Sequence, residues 1–314
     1  MTEFSDIPVI DISARHGPER ASLAQRFVEV YGSVGFGYIT GHGIPNALID
    51  GVFEASRAFH ALPREAKMAV ELDANHRGFI PIDTSTDVNS TLAEVTKPNQ
   101  SESFMMMRED AAGTPGYLSG PNQWPDLPGF RDALEAYNAA LSALGAEMMV
   151  LVLEGLGVPP GPVMDGFAPP TTWLRLLHYP PRPADAAEDL YGSAPHTDFG
   201  CLTILAQDGV GGLQVQTPAG AWVDAPRIEG SFVVNVGDML HRMSNGRLKS
   251  TPHRVINRSG QERYSCPFFY DPHVSYTVAP LPGQGGPGFE PLVFGDFLRA
   301  ELTAGYQAHQ DEKG

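Results

Sequence analysis

The clearest periodic signal in the chain lies between Phe130 and Leu151. Apolar residues recur there at alternating intervals of four and three, which places them in one stripe along a helix of 3.6 residues per turn. The glycines and prolines between Gly155 and Pro160 then end the helix. We therefore expect a long scaffold helix that packs against a sheet. Its stripe consists of Phe130, Leu134, Tyr137, Leu141, Leu144, Met148 and Leu151.

The segment before this helix has a mixed pattern. Residues 7–12 and 35–39 are strand-like, and apolar residues repeat at helical spacing within 18–31 and 46–59. From Arg77 to Trp124 the periodicity is lost, and Pro, Gly, Asn, Thr and Met dominate. We expect an irregular excursion there, over the surface or over a site.

After Thr171 the pattern changes to short β-prone runs separated by Gly, Pro and Asn turns. Many short strands at this interval indicate a β-sandwich or barrel. We expect an α+β fold with a mainly β core, a double-stranded β-helix (jelly-roll), and flanking helices that include the long scaffold helix. The runs are Trp173–Tyr179, Cys201–Ala206, Gly212–Gln216, Ala221–Val223, Phe232–Val236, His253–Ile256 and Ser265–Tyr270.

Composition and charge exclude several classes of partner. The net charge is −16, and no run of Lys or Arg occurs, which argues against a nucleic-acid backbone as partner. No stretch reaches the ~18 uninterrupted apolar residues of a membrane span, and the N-terminus lacks the basic and apolar blocks of a signal peptide. Cys201 and Cys266 form neither a metal motif nor a disulfide framework. We expect a cytoplasmic protein with no nucleic-acid or membrane partner.

Candidate chemistry begins with His196-Thr197-Asp198. On an extended backbone, residues i and i+2 point to the same face, so the imidazole and the carboxylate can reach one ion. His253, 55 residues after Asp198 in another strand-like run, is the best candidate for a third ligand. Two His and one carboxylate leave adjacent coordination positions open, as in non-haem iron(II) oxygenases, whereas zinc favours tetrahedral sites with one open position. An H-x-D triplet alone is weak evidence for a metal site, so the interpretation depends on the surrounding sequence.

Three blocks of sequence surround these residues. They are PHTDFGCLTILAQDGVGGLQV, NVGDMLHRMSNGRLKSTPHRVIN and ERYSCPFFYDP. Together they resemble the isopenicillin N synthase-like family of 2-oxoglutarate/iron(II)-dependent dioxygenases. IPVIDIS, GFGYITGHGIP, Arg77-Gly78-Phe79 and Ser103–Met106 are similar to the N-terminal region of that family.

The resemblance covers about the whole chain and implies a single domain, 1–314. Residues 1–125 would form a helical and irregular N-terminal region, and 171–280 the jelly-roll core that carries the iron site. It also implies Fe(II) as the metal, 2-oxoglutarate as cosubstrate and O2 as oxidant.

The cosubstrate anchor is expected at Arg263-Tyr264-Ser265, where a guanidinium and a hydroxyl again share one strand face. Such a pair binds a carboxylate in a forked, charge-assisted geometry. In the family that this chain resembles, the R-x-S pair holds the distal carboxylate of 2-oxoglutarate. Tyr179 is similar to a family tyrosine that also reaches the cosubstrate. Plant members carry Asn two residues before it, where this chain has Leu177.

The substrate pocket is expected to be lined by Phe104, Met106, Phe269 and the irregular region 77–124. The run Met105–Met107 predicts an adaptable apolar wall. Arg175 shares a strand face with Tyr179 and would bind a substrate or cosubstrate carboxylate, or else form an ion pair that points outward or lies behind the residues that contact the ligands.

The expected reaction is oxidation of a C–H bond of a small organic molecule, most simply hydroxylation, with release of succinate and CO2. One alternative is a 2-oxoglutarate-independent iron(II) oxidase or cyclase of the same fold. Another is a non-catalytic jelly-roll that binds a small molecule. Substrate identity, desaturation or cyclisation as outcomes, and oligomeric state stay open.

Overall fold

The computed structural model of the chain describes residues 6–86, 92, 97–183 and 185–306. Its helices are α1 (Arg20–Ser33), α2 (Asn46–His60), α3 (Arg64–Met68), α4 (Phe130–Gly155), α5 (Pro160–Met164), α6 (Asp238–Met243) and α7 (Phe294–Gly305). Its strands are β1 (Val9–Asp11), β2 (Phe36–Thr40), β3 (Gly78–Ile80), β4 (Glu102–Met107), β5 (Thr171–Tyr179), β6 (Ser193–His196), β7 (Leu202–Gln207), β8 (Leu213–Gln216), β9 (Trp222–Asp224), β10 (Phe232–Val236), β11 (His253–Val255), β12 (Arg263–Asp271), β13 (Thr277–Val278) and β14 (Leu292–Val293).

Two facing sheets form the β core. The large sheet has the order β1-β2-β10-β7-β12-β5-β4-β3, and the small sheet has the order β6-β11-β8-β9. Apolar side chains of both sheets pack together between them, among them Phe36 and Val233 from the large sheet and Val215 and Val255 from the small one. The predicted jelly-roll core is confirmed.

The strands of the large sheet that line the cavities have one face toward those cavities and the other toward the helices. On β5, Arg175, Leu177 and Tyr179 line cavities between the sheets, whereas Leu174 and Leu176 join the core beneath the helices. This alternation follows from the two-residue period of a strand. It places every second residue of β4, β5, β7, β10 and β12 in the space that contains the site.

The helix α4 is the predicted scaffold helix, and it extends four residues beyond Leu151 to Gly155. It packs against α1, α2 and the large sheet, and all seven residues of its predicted stripe are buried. Among the described helices, α4 alone is long and apolar enough to cross a membrane by length and composition. Its contacts with the sheet and the other helices are those of a core helix.

The region 77–124 is more regular than expected. It contributes β3 and β4, which pair with each other, and β4 also pairs with β5 in the large sheet. Both faces of β4 are covered, so its sequence is a near-continuous apolar run without the alternation that signals a half-exposed strand. Residues 87–91 and 93–96 of this region lie outside the described residues.

Candidate active site

The three candidate metal ligands come together at one end of the small sheet. His196 is the last residue of β6, Asp198 follows in the turn after it, and His253 is the first residue of β11. His196 Nε2 lies 3.7 Å and His253 Nε2 lies 3.6 Å from Asp198 Oδ1. All three donor atoms lie within 4.8 Å of one another, so one ion can contact all of them.

Backbone carbonyls orient both imidazoles. His196 Nδ1 lies 2.7 Å from the carbonyl oxygen of Ala194, and His253 Nδ1 lies 3.3 Å from that of Thr251. A ring nitrogen beside a carbonyl carries its proton and donates it, which leaves Nε2 of each ring as a lone-pair donor. Both rings are therefore prepared to bind a cation through Nε2.

The two carboxylate oxygens of Asp198 have different surroundings. Its Oδ2 accepts hydrogen bonds from the Thr203 hydroxyl and from Asn235 Nδ2, the latter at 2.7 Å. Burial alone would raise the pKa of Asp198, but the two imidazoles and these hydrogen bonds outweigh it and hold the pKa below its usual value. The group is thus a carboxylate whose Oδ1 points toward both histidines.

This donor set fits iron(II). Two neutral imidazoles and one carboxylate on one side of an ion leave the opposite positions open for exogenous ligands. The second oxygen of the carboxylate and the second nitrogen of each ring are already bonded to the protein, which is the usual outer support of a metal site.

A small cavity of about 90 Å³ lies beside the triad and contains the expected cosubstrate anchor. Arg263 is 1% exposed, and its Nε donates to the carbonyl oxygen of Gly211 at 2.6 Å. Its Nη1 lies 3.3 Å from Ser265 Oγ, and its guanidinium lies over the Tyr179 ring at 4.6 Å from the ring centre. The structure therefore brings together Arg263, Ser265 and Tyr179, with Leu177 on the same wall.

A larger cavity of about 510 Å³ opens on the other side of the triad. His196, Asp198, Arg175 and Phe269 line both cavities, so the triad lies where the two meet. The volume lies within the range of about 300–1,000 Å³ that is typical of pockets for one small organic molecule.

The structure corrects two of the expected pocket residues. Phe104 and Met106 lie on the helix-facing side of β4, where Phe104 packs against Phe59 and Phe130 at ring distances of 5.0 Å. Because side chains alternate along a strand, only Met105 of the expected Met105–Met107 run lines the cavity. Phe269 and Arg175 do lie at the cavity, as expected.

Sequence reasoning missed several residues of the site. Asn235 lies within β10, and its Nδ2 donates to Asp198 Oδ2. Gln207 accepts a hydrogen bond from Arg263 Nη2 at 3.1 Å. The C-terminal helix α7 covers the larger cavity with Phe297 and Leu302. No local motif marks these residues, since each reaches the site from a different part of the chain.

The fold and this donor set define a mononuclear non-haem iron oxygenase of the jelly-roll type. The sequence matches the 2OG-Fe(II) oxygenase superfamily over residues 170–272. It also matches the family described as non-haem dioxygenase in morphine synthesis N-terminal over residues 7–127.

Full-length relatives agree with these matches. The chain is 37% identical to a 2-oxoglutarate-Fe(II) type oxidoreductase from Emericella nidulans, over 95% of this chain and 90% of that protein. It is 33% identical to a homoarginine-6-hydroxylase from Arabidopsis thaliana, over 97% and 99% of the two chains. A full-length Neurospora crassa protein in complex with alpha-KG and thymine superposes with a TM-score of 0.83, at 30% identity, over 95% of this chain and 96% of that one.

The chain therefore belongs to the 2OG-Fe(II) oxygenase superfamily. It is a 2-oxoglutarate/iron(II)-dependent dioxygenase that uses O2, and the resemblance found in the sequence is confirmed.

Proposed function

We propose that His196, Asp198 and His253 hold iron(II), that Arg263, Ser265 and Tyr179 hold 2-oxoglutarate, and that the enzyme hydroxylates its substrate in the larger cavity. One oxygen atom of O2 enters a substrate C–H bond to give an alcohol. The other enters 2-oxoglutarate, which loses CO2 and becomes succinate. Iron(II), when bound, supplies the activation of O2 that no side chain of the site can provide.

The observation that carries this proposal is the buried guanidinium of Arg263 beside the triad. No carboxylate of the described residues lies within 4.0 Å of it, and its protein partners are Gly211, Gln207 and Ser265. A buried charge without a counter-charge is costly, so an anionic ligand fits this cavity. A dicarboxylate with one end at Arg263 can extend its other end toward the triad.

The protein's own groups position the reactants. Arg263 and Ser265 would fix the distal carboxylate by charge-assisted hydrogen bonds, and the Tyr179 hydroxyl lies 3.5 Å from Ser265 Oγ. Leu177 and Leu205 give the small cavity an apolar wall, which limits water beside the reacting end of the cosubstrate.

The substrate is a small organic molecule in this proposal. The size of the larger cavity supports it, as do relatives named for homoarginine hydroxylation or solved with thymine. Met105, Trp173 and Phe269 line this cavity, so the substrate would have an apolar body.

We also propose that residues 1–314 work as one domain in the cytoplasm, without a nucleic-acid or membrane partner. The net charge of −16 and the two free buried cysteines support this. The single domain is supported by the large sheet, which joins β1–β4 to strands that begin at residue 171 and later. Fractionation of cells that express the tagged full chain tests the location, and recovery outside the cytosolic fraction would contradict it.

The proposed chemistry is tested by anaerobic reconstitution with iron(II), followed by a visible-absorption titration with 2-oxoglutarate. We expect a weak charge-transfer band that grows with 2-oxoglutarate, is lost in His196→Ala and weakens in Arg263→Ala. If iron binds but no such band forms, 2-oxoglutarate is not held as proposed. If iron does not bind, the metal assignment is wrong.

A further inference from the structure

We propose that the substrate is a small organic acid whose single carboxylate binds Arg175 and whose apolar body lies against Met105, Trp173 and Phe269. This inference rests on the proposed function, because it assigns a substrate class to the larger cavity of that same site. The two arginines would have different roles. Arg175 lines both cavities, whereas Arg263 lies deeper and lines only the small cavity.

The guanidinium of Arg175 is held in place by neutral groups. Its Nε donates to Ser103 Oγ at 2.9 Å, and its Nη1 donates to the Tyr306 hydroxyl at 3.2 Å. Its central carbon also lies 6.0 Å from the centre of the Tyr306 ring. Two elements, β4 and the residue after α7, thus orient the side chain without neutralising it.

Arg175 has no counter-charge within the described part of the chain. No carboxylate there lies within 4.0 Å of its nitrogens, and its Nη2 makes no hydrogen bond to a described residue. By contrast, the buried cation Lys67 pairs with Glu102 at 2.8 Å. A partly buried, oriented guanidinium with a free edge is suited to bind a carboxylate in forked geometry.

The position of Arg175 relates this anchor to the reaction. Arg175, His196 and Asp198 all line both cavities, so a molecule held at Arg175 extends beside the proposed metal ligands. Met105 is the β4 partner of Arg175, and Phe269 is paired with Trp173 across β5 and β12. An apolar body attached to the carboxylate would therefore contact these three side chains.

A monocarboxylate fits this cavity better than a phosphate or a dicarboxylate. Asp238 and Asp271 also line the cavity, and additional negative charge on the substrate would be repelled by them. The guanidinium of Arg175 can therefore pair with the single carboxylate of such a substrate.

The test uses full-length enzyme loaded with iron(II) and 2-oxoglutarate without O2, and measures binding by calorimetry. The probes are pairs of equal shape: phenylacetate and phenylacetamide, hexanoate and hexanamide, cyclohexanecarboxylate and cyclohexanecarboxamide. We expect acids to bind at least about tenfold more tightly than their amides, since only the acids provide a charged acceptor.

Variants then assign this preference to Arg175. Arg175→Gln is expected to weaken acid binding by about tenfold or more and to abolish the preference over amides, while Arg175→Lys restores part of it. Arg254→Gln, which removes a positive charge from the small sheet where Arg254 contacts Gln214 and Trp222, is the matched control and should bind the acids like the wild type.

Three results would overturn the proposal: amides that bind as tightly as acids, acids that bind Arg175→Gln undiminished, or a panel in which no acid binds. The charge-transfer band of the wild type separates this failure from a failure of the proposed function. If the band forms with 2-oxoglutarate, only the assignment of an acidic substrate is wrong. If the band is absent, the proposed cosubstrate site is wrong as well.

Discussion

His253 lies directly opposite His196 in the register of the antiparallel strands β11 and β6, and their ring centres are 4.3 Å apart. Strand pairing therefore brings together two imidazoles that are distant in sequence. The carboxylate of Asp198, two residues beyond His196, completes the set at 3.6 Å from the second imidazole. The small sheet thus sets the distance between the proposed metal ligands before any ion binds.

Removing the Thr203 hydroxyl should weaken iron binding. This hydroxyl donates to Asp198 Oδ2 and holds the carboxylate with Oδ1 toward the histidines. Loss of such an outer hydrogen bond typically costs about 10–100-fold in metal affinity. We expect that loss in Thr203→Val, measured by anaerobic titration with iron(II), and near-normal affinity in Thr203→Ser, which retains the hydroxyl. Equal affinity in the two variants would show that the hydrogen bond does not matter.

Arg263→Lys should weaken 2-oxoglutarate binding although it retains the positive charge. A lysine ammonium cannot donate the two parallel hydrogen bonds that the guanidinium of Arg263 can donate to a carboxylate. A hydrogen bond to a charged group contributes roughly 1.5–3 kcal/mol. The dissociation constant for 2-oxoglutarate should therefore rise by about 10- to 150-fold in the visible titration. Arg254→Lys, in the small sheet beside Gln214, is the control and should leave this constant unchanged. An unchanged constant in Arg263→Lys would argue against forked binding.

Gly200→Ala should destabilise the turn that carries Asp198. An added Cβ would lie 1.9 Å from Asp271 Oδ1, the atom that accepts a hydrogen bond from the Cys201 amide at 2.6 Å. Forcing an atom into such a packed site typically costs about 1–3 kcal/mol. We expect a loss of this size in urea unfolding, together with weaker iron binding. Gly209→Ala has open space around its Cβ and should behave like the wild type.

The stability of the fold should decrease as the pH falls below about 6.5, in part through His60. Burial, together with the nearby charge of His178, lowers the pKa of His60 from 6.5 to about 3. Between these values the unfolded chain binds a proton that the folded protein excludes. Unfolding therefore becomes more favourable toward acid pH, by at most about 1.4 kcal/mol per pH unit.

Urea unfolding at pH 8, 6 and 4.5 measures this effect. Replacing the ring in His60→Gln should reduce the dependence on pH, whereas replacing the exposed His16 in His16→Gln should not. Glu102 and Lys67 also face His60, so the difference between the two variants isolates the histidine. A pH dependence equal to that of the wild type in His60→Gln would contradict the assignment.

The sequence by itself determined those parts of the site that lie within one strand or turn. H-x-D and R-x-S place two side chains on the same face because an extended chain repeats every two residues. The long helix α4 followed in the same way from its apolar stripe. In both cases the side chains that share a face are only a few residues apart in sequence. Local backbone geometry is therefore enough to predict that they lie together.

Only the tertiary structure decided which side chains surround these pairs. Thr203, Gln207 and Asn235 reach the site from β7 and β10, and α7 covers the larger cavity from the far end of the chain. Sequence could not assign the faces of β4 because both faces are buried and both are apolar. Contacts between distant segments depend on how the sheets and helices pack, and local patterns do not encode that packing.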